Sequence, residues 1–254
     1  MICDITLILP AYNEAGRIAG TIEEAVRYFE NRRSSYEIIV SADGTDGTRE
    51  KVRELGAINP SIRVIGEPKR RGKGRGIRDA VSIANGRIIG FADADNKVPI
   101  DEYDSIEPLL HGGAPLVIGS RALRTARIER AQPFHRRLGS WGFGIFMHTT
   151  VGLKHVGDTQ CGFKFFQRTV AKELFERQQI DGYMFDVEIL AIAVRLGYSI
   201  EQVPVRWRDD GDSRLQLVAG NIRNVIDIFK IRRSIYQMPK RPEVARARAA
   251  VENG

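Results

Sequence analysis

Short apolar runs alternate with amphipathic stretches along the first half of this chain, and few folds admit that rhythm. "DITLILP" (4–10), "YEIIVSA" (36–42), "IRVIGE" (62–67), "RIIGFA" (87–92) and "PLVIGSR" (115–121) each read as a buried strand. Between the first two, Ile18, Ile22, Ala25, Val26 and Phe29 recur at helical spacing. A parallel neighbour needs a long crossover, and helices between strands supply it. The expected class is therefore α/β: a single Rossmann-like, mostly parallel sheet with helices on both faces and amphipathic helices appended at its C-terminal end.

Open sheets of this kind bind ligands beyond the carboxyl ends of their strands. The reading gathers there the turn after Pro10, Asp43, the basic glycine loop "RRGKGRG" (70–76), the triplet Asp93-Ala94-Asp95, and Arg121. Carboxylates are costly to desolvate, so two of them at a buried strand end require positive charge nearby. Hard divalent cations prefer oxygen, and Mg²⁺ is typically held by one or two carboxylates plus substrate phosphates. Asp93 and Asp95 are thus candidate ligands of Mg²⁺ or Mn²⁺, although an isolated Asp-x-Asp equally fits a solvated turn. Thr48 is the expected N-cap of a helix after "DGTDGT".

The second half is less regular. Residues 168–178 and 184–196 read as helices, "EQVPVRW" (201–207) as a strand, and 217–236 as a long amphipathic helix with Val218, Ile222, Val225 and Phe229 on one face. Phe134, Leu138, Trp141 and Ile145 form another apolar stripe, weakened as a free helix by Gly139, Gly142 and Gly144. The expected division is one domain, 1–236, with a nucleotide-binding half to about 121 and an acceptor- and membrane-facing half after it. Residues 237–254 form a polar tail.

The 254 residues carry 39 basic against 32 acidic side chains, a net charge of +7. That excess suits an anionic partner or simply a solvated basic surface. Nucleic acid is disfavoured, because no aromatic stacking pattern accompanies the basic glycine loop. No apolar run approaches the roughly 20 residues of a spanning helix, and the N-terminus does not read as a signal peptide. Cys3 and Cys161 alone suggest a reduced, cytoplasmic protein. His135, His148 and His155 lack metal-ligand spacing.

The ordered set "PAYNEAGRI", an aspartate after the second strand, and Asp-x-Asp after the fourth resembles the family-2 inverting glycosyltransferases. Three stretches of the second half, "DTQCGFKFF" (158–166), "FDVEIL" (185–190) and "VPVRWRDDGDSRL" (203–215), look more closely like the dolichyl-phosphate β-glucosyltransferases, relatives of the dolichyl-phosphate mannose synthases. The resemblance implies a GT-A fold. It implies that Pro10, Ala11, Tyr12 and Glu14 line the base and ribose, and that Lys73 and Gly74 lie near the nucleotide. Asp93 and Asp95, with Ala94 between them, would hold metal and diphosphate. The family's paired aspartates after strand two are replaced here by "VSADGTDGT". Asp43 takes their role with a one-residue shift; an ungapped alignment puts Ser41 and Ala42 there and leaves Asp46 to cap the next helix. Lys97 stands where mannose synthases commonly have glutamine, which leans the donor towards UDP-glucose.

The expected reaction is inverting transfer of a hexose from a nucleotide sugar to a polyprenyl phosphate, peripherally on the cytoplasmic face of a membrane. Arg121 and Arg214 are candidates to shield phosphates, against the alternative of plain surface or loop cations. Asp186 is a candidate to orient sugar or acceptor, although capping and dipole effects are rival explanations for Asp186 and Glu188 at a helix start. "TQCGFK" equally reads as core packing. GDP-mannose as donor, a sugar-nucleotide pyrophosphorylase and a non-catalytic basic membrane-binding protein are the alternatives. A nicotinamide dehydrogenase is disfavoured, because strand one leads to "PAYNEAG" rather than a glycine fingerprint.

Overall fold

A computed structural model describes residues 2–128, 144, 147–208 and 222–241. A seven-stranded sheet forms its centre. β1 (Cys3–Tyr12), β2 (Tyr36–Asp43), β3 (Ile62–Ile65), β4 (Gly86–Ala92), β5 (Leu116–Ser120), β7 (Phe163–Gln167) and β8 (Ile200–Pro204) lie in the order β3-β2-β1-β4-β7-β5-β8. All pairings are parallel except those of β7, which runs antiparallel between β4 and β5. A second, two-stranded sheet pairs β6 (Arg127–Ile128) with β9 (Arg206–Trp207).

Alternation along β1 divides the core. Leu7 and Leu9 enter the layer beneath α1 (Ile18–Asn31) and α2 (Thr48–Ile58), beside Ile22, Phe29 and Tyr103. Ile8 enters the other layer, beneath α3 (Lys73–Ile83), α5 (Arg168–Glu176) and α6 (Phe185–Arg195). The small α4 (Glu107–His111) follows a 3₁₀ turn, Ile100–Ser105. Helix α7 (Ile222–Gln237) packs on α6 through Ile228 and Ile231.

The expected α/β class holds, and so do the five leading strands. Three details differ. "FKFFQ" is an unanticipated strand, antiparallel and central; its buried lysine breaks the apolar signature of such a position. "EQVPVRW" divides between two sheets: Pro204 has no N–H to continue the ladder, and pairing with β5 ends at Ser120↔Pro204. Thr48 is the first helical residue rather than the N-cap, which is Gly47 at φ 92°. Asp46 caps in its place, accepting from Thr48 N at 3.1 Å and Thr48 Oγ1 at 2.6 Å. Phe134, Leu138, Trp141, Ile145, Arg214 and Val218 lie outside the described residues.

Candidate active site

The strand order reverses between β1 and β4, and a cavity of about 360 Å³ opens at their carboxyl ends. Such a switch point separates the crossovers leaving neighbouring strands and leaves a crevice. Pro10, Ala11 and Tyr12 form the end of β1 and line the cavity. Pairing with β4 stops at Ile8↔Phe91, so Pro10 interrupts no ladder on that side. Asn13, at φ 54°, turns the chain out of the strand. Glu14 N then donates to Thr48 Oγ1 at 3.0 Å and Ala15 N to Asp46 Oδ2 at 2.9 Å, which fastens the loop to the start of α2. Glu14 itself lines the cavity.

Asp43 sits directly beside Tyr12 in the parallel register. Its buried carboxylate accepts from Arg71 N at 2.7 Å, from Glu67 N at 3.2 Å and from the Arg71 guanidinium at 3.3 Å. The loop before α3 is thereby tied to β2, and Arg70 lies 4.3 Å over the Tyr12 ring. Gly72 adopts φ 116°, and a Cβ there would meet Asp181 O at 2.2 Å. That close crossing delivers Lys73 at the first position of α3.

Lys73 Nζ reaches Asp93 Oδ1 at 2.6 Å. Burial draws the lysine's pKa down, but Asp93 and Asp186 outweigh it and the net shift is upward. Asp93 is seated on Gly162: its N–H donates to Gly162 O at 3.0 Å, and a Cβ on that glycine would fall 2.0 Å from Asp93 Oδ2. Ala94 is buried, its carbonyl accepting from Thr21 Oγ1 at 2.9 Å. Asp95 lies 3.5 Å from the buried Lys97, whose ammonium is 5.5 Å over the Trp207 ring. Burial, and then the charge of Asp93, raise the Asp95 pKa. A dication would relieve both. Among the described residues no cluster of three or more His, Cys, Asp or Glu forms a protein cage for a metal. Two carboxylates on an open cavity therefore fit a cation whose remaining ligands come from a diphosphate.

Arg121 follows β5 and grips Asp158 in a two-pronged fork, Nε–Oδ2 at 2.7 Å and Nη2–Oδ1 at 3.0 Å. The fork lifts the arginine's pKa against burial and lowers that of Asp158 against the same effect. Asp186, in the first turn of α6, also lines the cavity, with its carboxylate 2.6 Å from Lys164 Nζ.

Of the residues singled out in the sequence, the cavity gathers Pro10, Ala11, Tyr12, Glu14, Ser41, Asp43, Lys73, Asp93, Ala94, Asp95, Lys97, Arg121 and Asp186. Gly74 does not line it. Its absent side chain instead admits Phe185 Cβ, which a Cβ would meet at 2.5 Å, so Gly74 joins α3 to α6. Glu188 accepts from Gln179 N and Ile180 N at 2.9 and 2.8 Å, a local fastening of the loop before α6. Sequence reasoning missed Arg17, Gln160 and Tyr183 on the cavity wall, and Asp158 and Lys164 behind it. Asp158 and Lys164 stand inside the quoted "DTQCGFKFF", and their charges in an otherwise apolar stretch were the available signal.

An open α/β sheet with a carboxylate pair and facing cations at its switch point makes a site suited to a phosphate-bearing ligand. The glycosyl transferase family 2 model matches residues 6–175. The chain is 36% identical over 238 residues to a dolichyl-phosphate β-glucosyltransferase of Trichomonas vaginalis, covering 89% of this chain and 70% of that protein. It is 32% identical to one from Dictyostelium discoideum, covering 90% and 73%. The structure also resembles mannosyl-3-phosphoglycerate synthase of Rubrobacter xylanophilus, with a TM-score of 0.63 at 19% identity over 92% of this chain and 73% of that one. This chain belongs to glycosyltransferase family 2, alongside the dolichyl-phosphate β-glucosyltransferases, and its fold is GT-A.

Proposed function

We propose that this protein transfers glucose from UDP-glucose to a polyprenyl phosphate such as dolichyl phosphate, with inversion, at a membrane surface. The observation that carries the reading is the convergence of Asp93, Asp95, Lys73 and Arg121 on one cavity, in a chain related to dolichyl-phosphate β-glucosyltransferases. Lys97 in place of the glutamine of mannose synthases supports glucose over mannose.

Asp93 and Asp95 would hold Mg²⁺ or Mn²⁺, which offsets the donor's diphosphate charge and eases its departure. Lys73 holds and orients the Asp93 carboxylate. Tyr12 and Asp43 border the space for the base, and Arg121, braced by Asp158, offers a fixed cation to the phosphates. The acceptor is a phosphate monoester with a second pKa of about 6, so it arrives as an anionic nucleophile and requires no general base. Its oxygen attacks the anomeric carbon, the bond from that carbon to the diphosphate breaks, and the electron pair leaves with UDP. Arg214 is a further candidate cation for the diphosphate.

A lipid acceptor requires contact with a bilayer surface. Exposed Ile222, Ile226 and Phe229 on α7, flanked by exposed Arg223, Lys230, Arg232 and Arg233, suit peripheral attachment to an anionic, cytoplasmic leaflet. No described helix is long and apolar enough to cross a membrane.

The test is a donor panel with a short polyprenyl phosphate and Mg²⁺, read as nucleotide release and glycolipid formation. UDP-glucose should be the best donor, and excess EDTA should abolish transfer. Preference for GDP-mannose would reassign the sugar, and product from UTP with glucose 1-phosphate would move the chain to pyrophosphorylases.

A further inference from the structure

Lys164 is the only lysine among the described residues with no solvent exposure, and neither the transfer chemistry nor the nucleotide motifs use it. It lies on β7, the strand that separates β4, which delivers Asp93, from β5, which delivers Arg121. Its ammonium donates to Cys161 O at 2.5 Å and to Asp186 Oδ1 at 2.6 Å, and lies 5.5 Å over the Phe91 ring. A buried ammonium is expensive unless paired and hydrogen-bonded, so the position demands its partner. That partner is itself 3% exposed yet reaches the cavity wall. Among the described residues, no hydrogen bond engages Asp186 Oδ2. Asp186 Oδ2 is not among the buried atoms without a partner, so it opens onto the cavity, where a ligand hydroxyl can take the place of solvent as its donor.

We propose that Lys164 is a positioning residue that holds the Asp186 carboxylate with Oδ2 turned to account as the acceptor for one hydroxyl of the transferred sugar. The assignment rests on the hexosyl-transfer reading above and adds to it the group that selects the sugar. Burial raises the Asp186 pKa, and Lys164 and Lys73 offset only part of that rise; what holds the carboxyl in place is its 2.6 Å contact with Lys164. A proton-abstracting role has no use here, since a phosphate acceptor has no proton to lose. A hydroxyl on a hexose, by contrast, is a donor. A buried acceptor built for it rejects analogues that lack it, because the carboxylate is then left unpaired.

The experiment measures kcat and KM for UDP-glucose and its 2-, 3-, 4- and 6-deoxy analogues. It uses wild type, Lys164→Met, Asp186→Asn and the double variant, with melting temperature and UDP-induced thermal shift recorded for each. Wild type should disfavour one analogue by about 100-fold or more in kcat/KM, the scale of a buried, charge-assisted hydrogen bond. Each variant should compress that preference at least about 10-fold while the UDP-induced shift is retained. If Lys164→Met fails to fold, the double variant removes the orphaned charge and decides the matter: it should melt near wild type and still lack the preference. Folded variants that keep the wild-type ranking, or that lose all donors equally, would overturn the proposal, as would a wild type indifferent to every deoxy analogue. Wild type that transfers no hexose from any UDP-sugar would instead refute the underlying transferase reading.

Discussion

Asp95 serves two opposing demands. Its carboxyl is raised in pKa by burial and then by Asp93, so the folded state binds its proton more tightly than the unfolded chain does. Such a group contributes most to stability in acid. The contribution is lost as pH climbs from the ordinary carboxylate value of about 3.9 through the raised folded value. At neutral pH without metal, the charge works against folding. Asp95→Asn should therefore melt at or above the wild-type temperature in EDTA at pH 7. In Mg²⁺ its transfer rate should fall at least about 100-fold, since metal stabilisation is worth several kcal/mol and each 1.36 kcal/mol is tenfold. Undiminished turnover would remove the metal role, and a lower melting temperature would mean that the carboxylate supports the fold instead.

Helix α7 presents the corresponding question at the level of an element. Its inner side carries Ile228 and Ile231 together with the buried polar groups Asn224, Asp227 and Ser234, while Ile222, Ile226, Phe229 and Tyr236 face outward. Sequence periodicity groups Val218, Ile222, Val225 and Phe229 on one face without saying which way it points. Ile226 is 48% exposed, so Ile226→Glu removes little packing and should leave the melting temperature nearly unchanged. It should reduce sedimentation with anionic vesicles and slow transfer to long-chain acceptors, because a carboxylate forfeits interfacial burial and is repelled by anionic headgroups. Transfer to a water-soluble short-chain phosphate should persist. Equal loss with both acceptors would place the defect in the transferase site rather than at the membrane.

For the molecule as a whole, the edge of the sheet away from the cavity has its own electrostatic clasp. Glu37 on β2 accepts from Thr6 Oγ1 on β1 at 2.6 Å, from Arg63 on β3 at 2.6 Å, and from Asn85 N just before β4. Burial pushes its pKa up, but Thr6, Asn85 and Arg63 outweigh burial and the net shift is downward. A carboxyl depressed on folding stabilises the protein above its unfolded pKa of about 4.3, and that stability is lost as pH falls through the folded value. Melting temperature should therefore decline through this acid range. Glu37→Gln should melt lower at pH 7 and show a shallower acid slope. A variant with the wild-type slope would transfer the acid sensitivity to the Arg121–Asp158 fork, whose carboxyl is lowered in the same sense.

The sequence by itself determined the elements whose signals are local. Hydrophobic periodicity identifies β1 to β5 and α1, and the rule that ligands collect at strand carboxyl ends groups Pro10, Asp43, Lys73, Asp93 and Arg121. Those residues are close in space because parallel crossovers return each strand to the same edge, a consequence of pattern and chain length. What tertiary structure alone decided is non-local. No periodicity in "FKFFQ" says that it inserts antiparallel between β4 and β5. Nor does any spacing say that Gly162 gives its Cβ space to Asp93, or that Gly74 serves α6 rather than the cavity. Lys164 and Asp186 are 22 residues apart on a strand and a helix, and each alone reads as an anomaly in an apolar run. Only packing, which must pair every buried charge, makes them one feature.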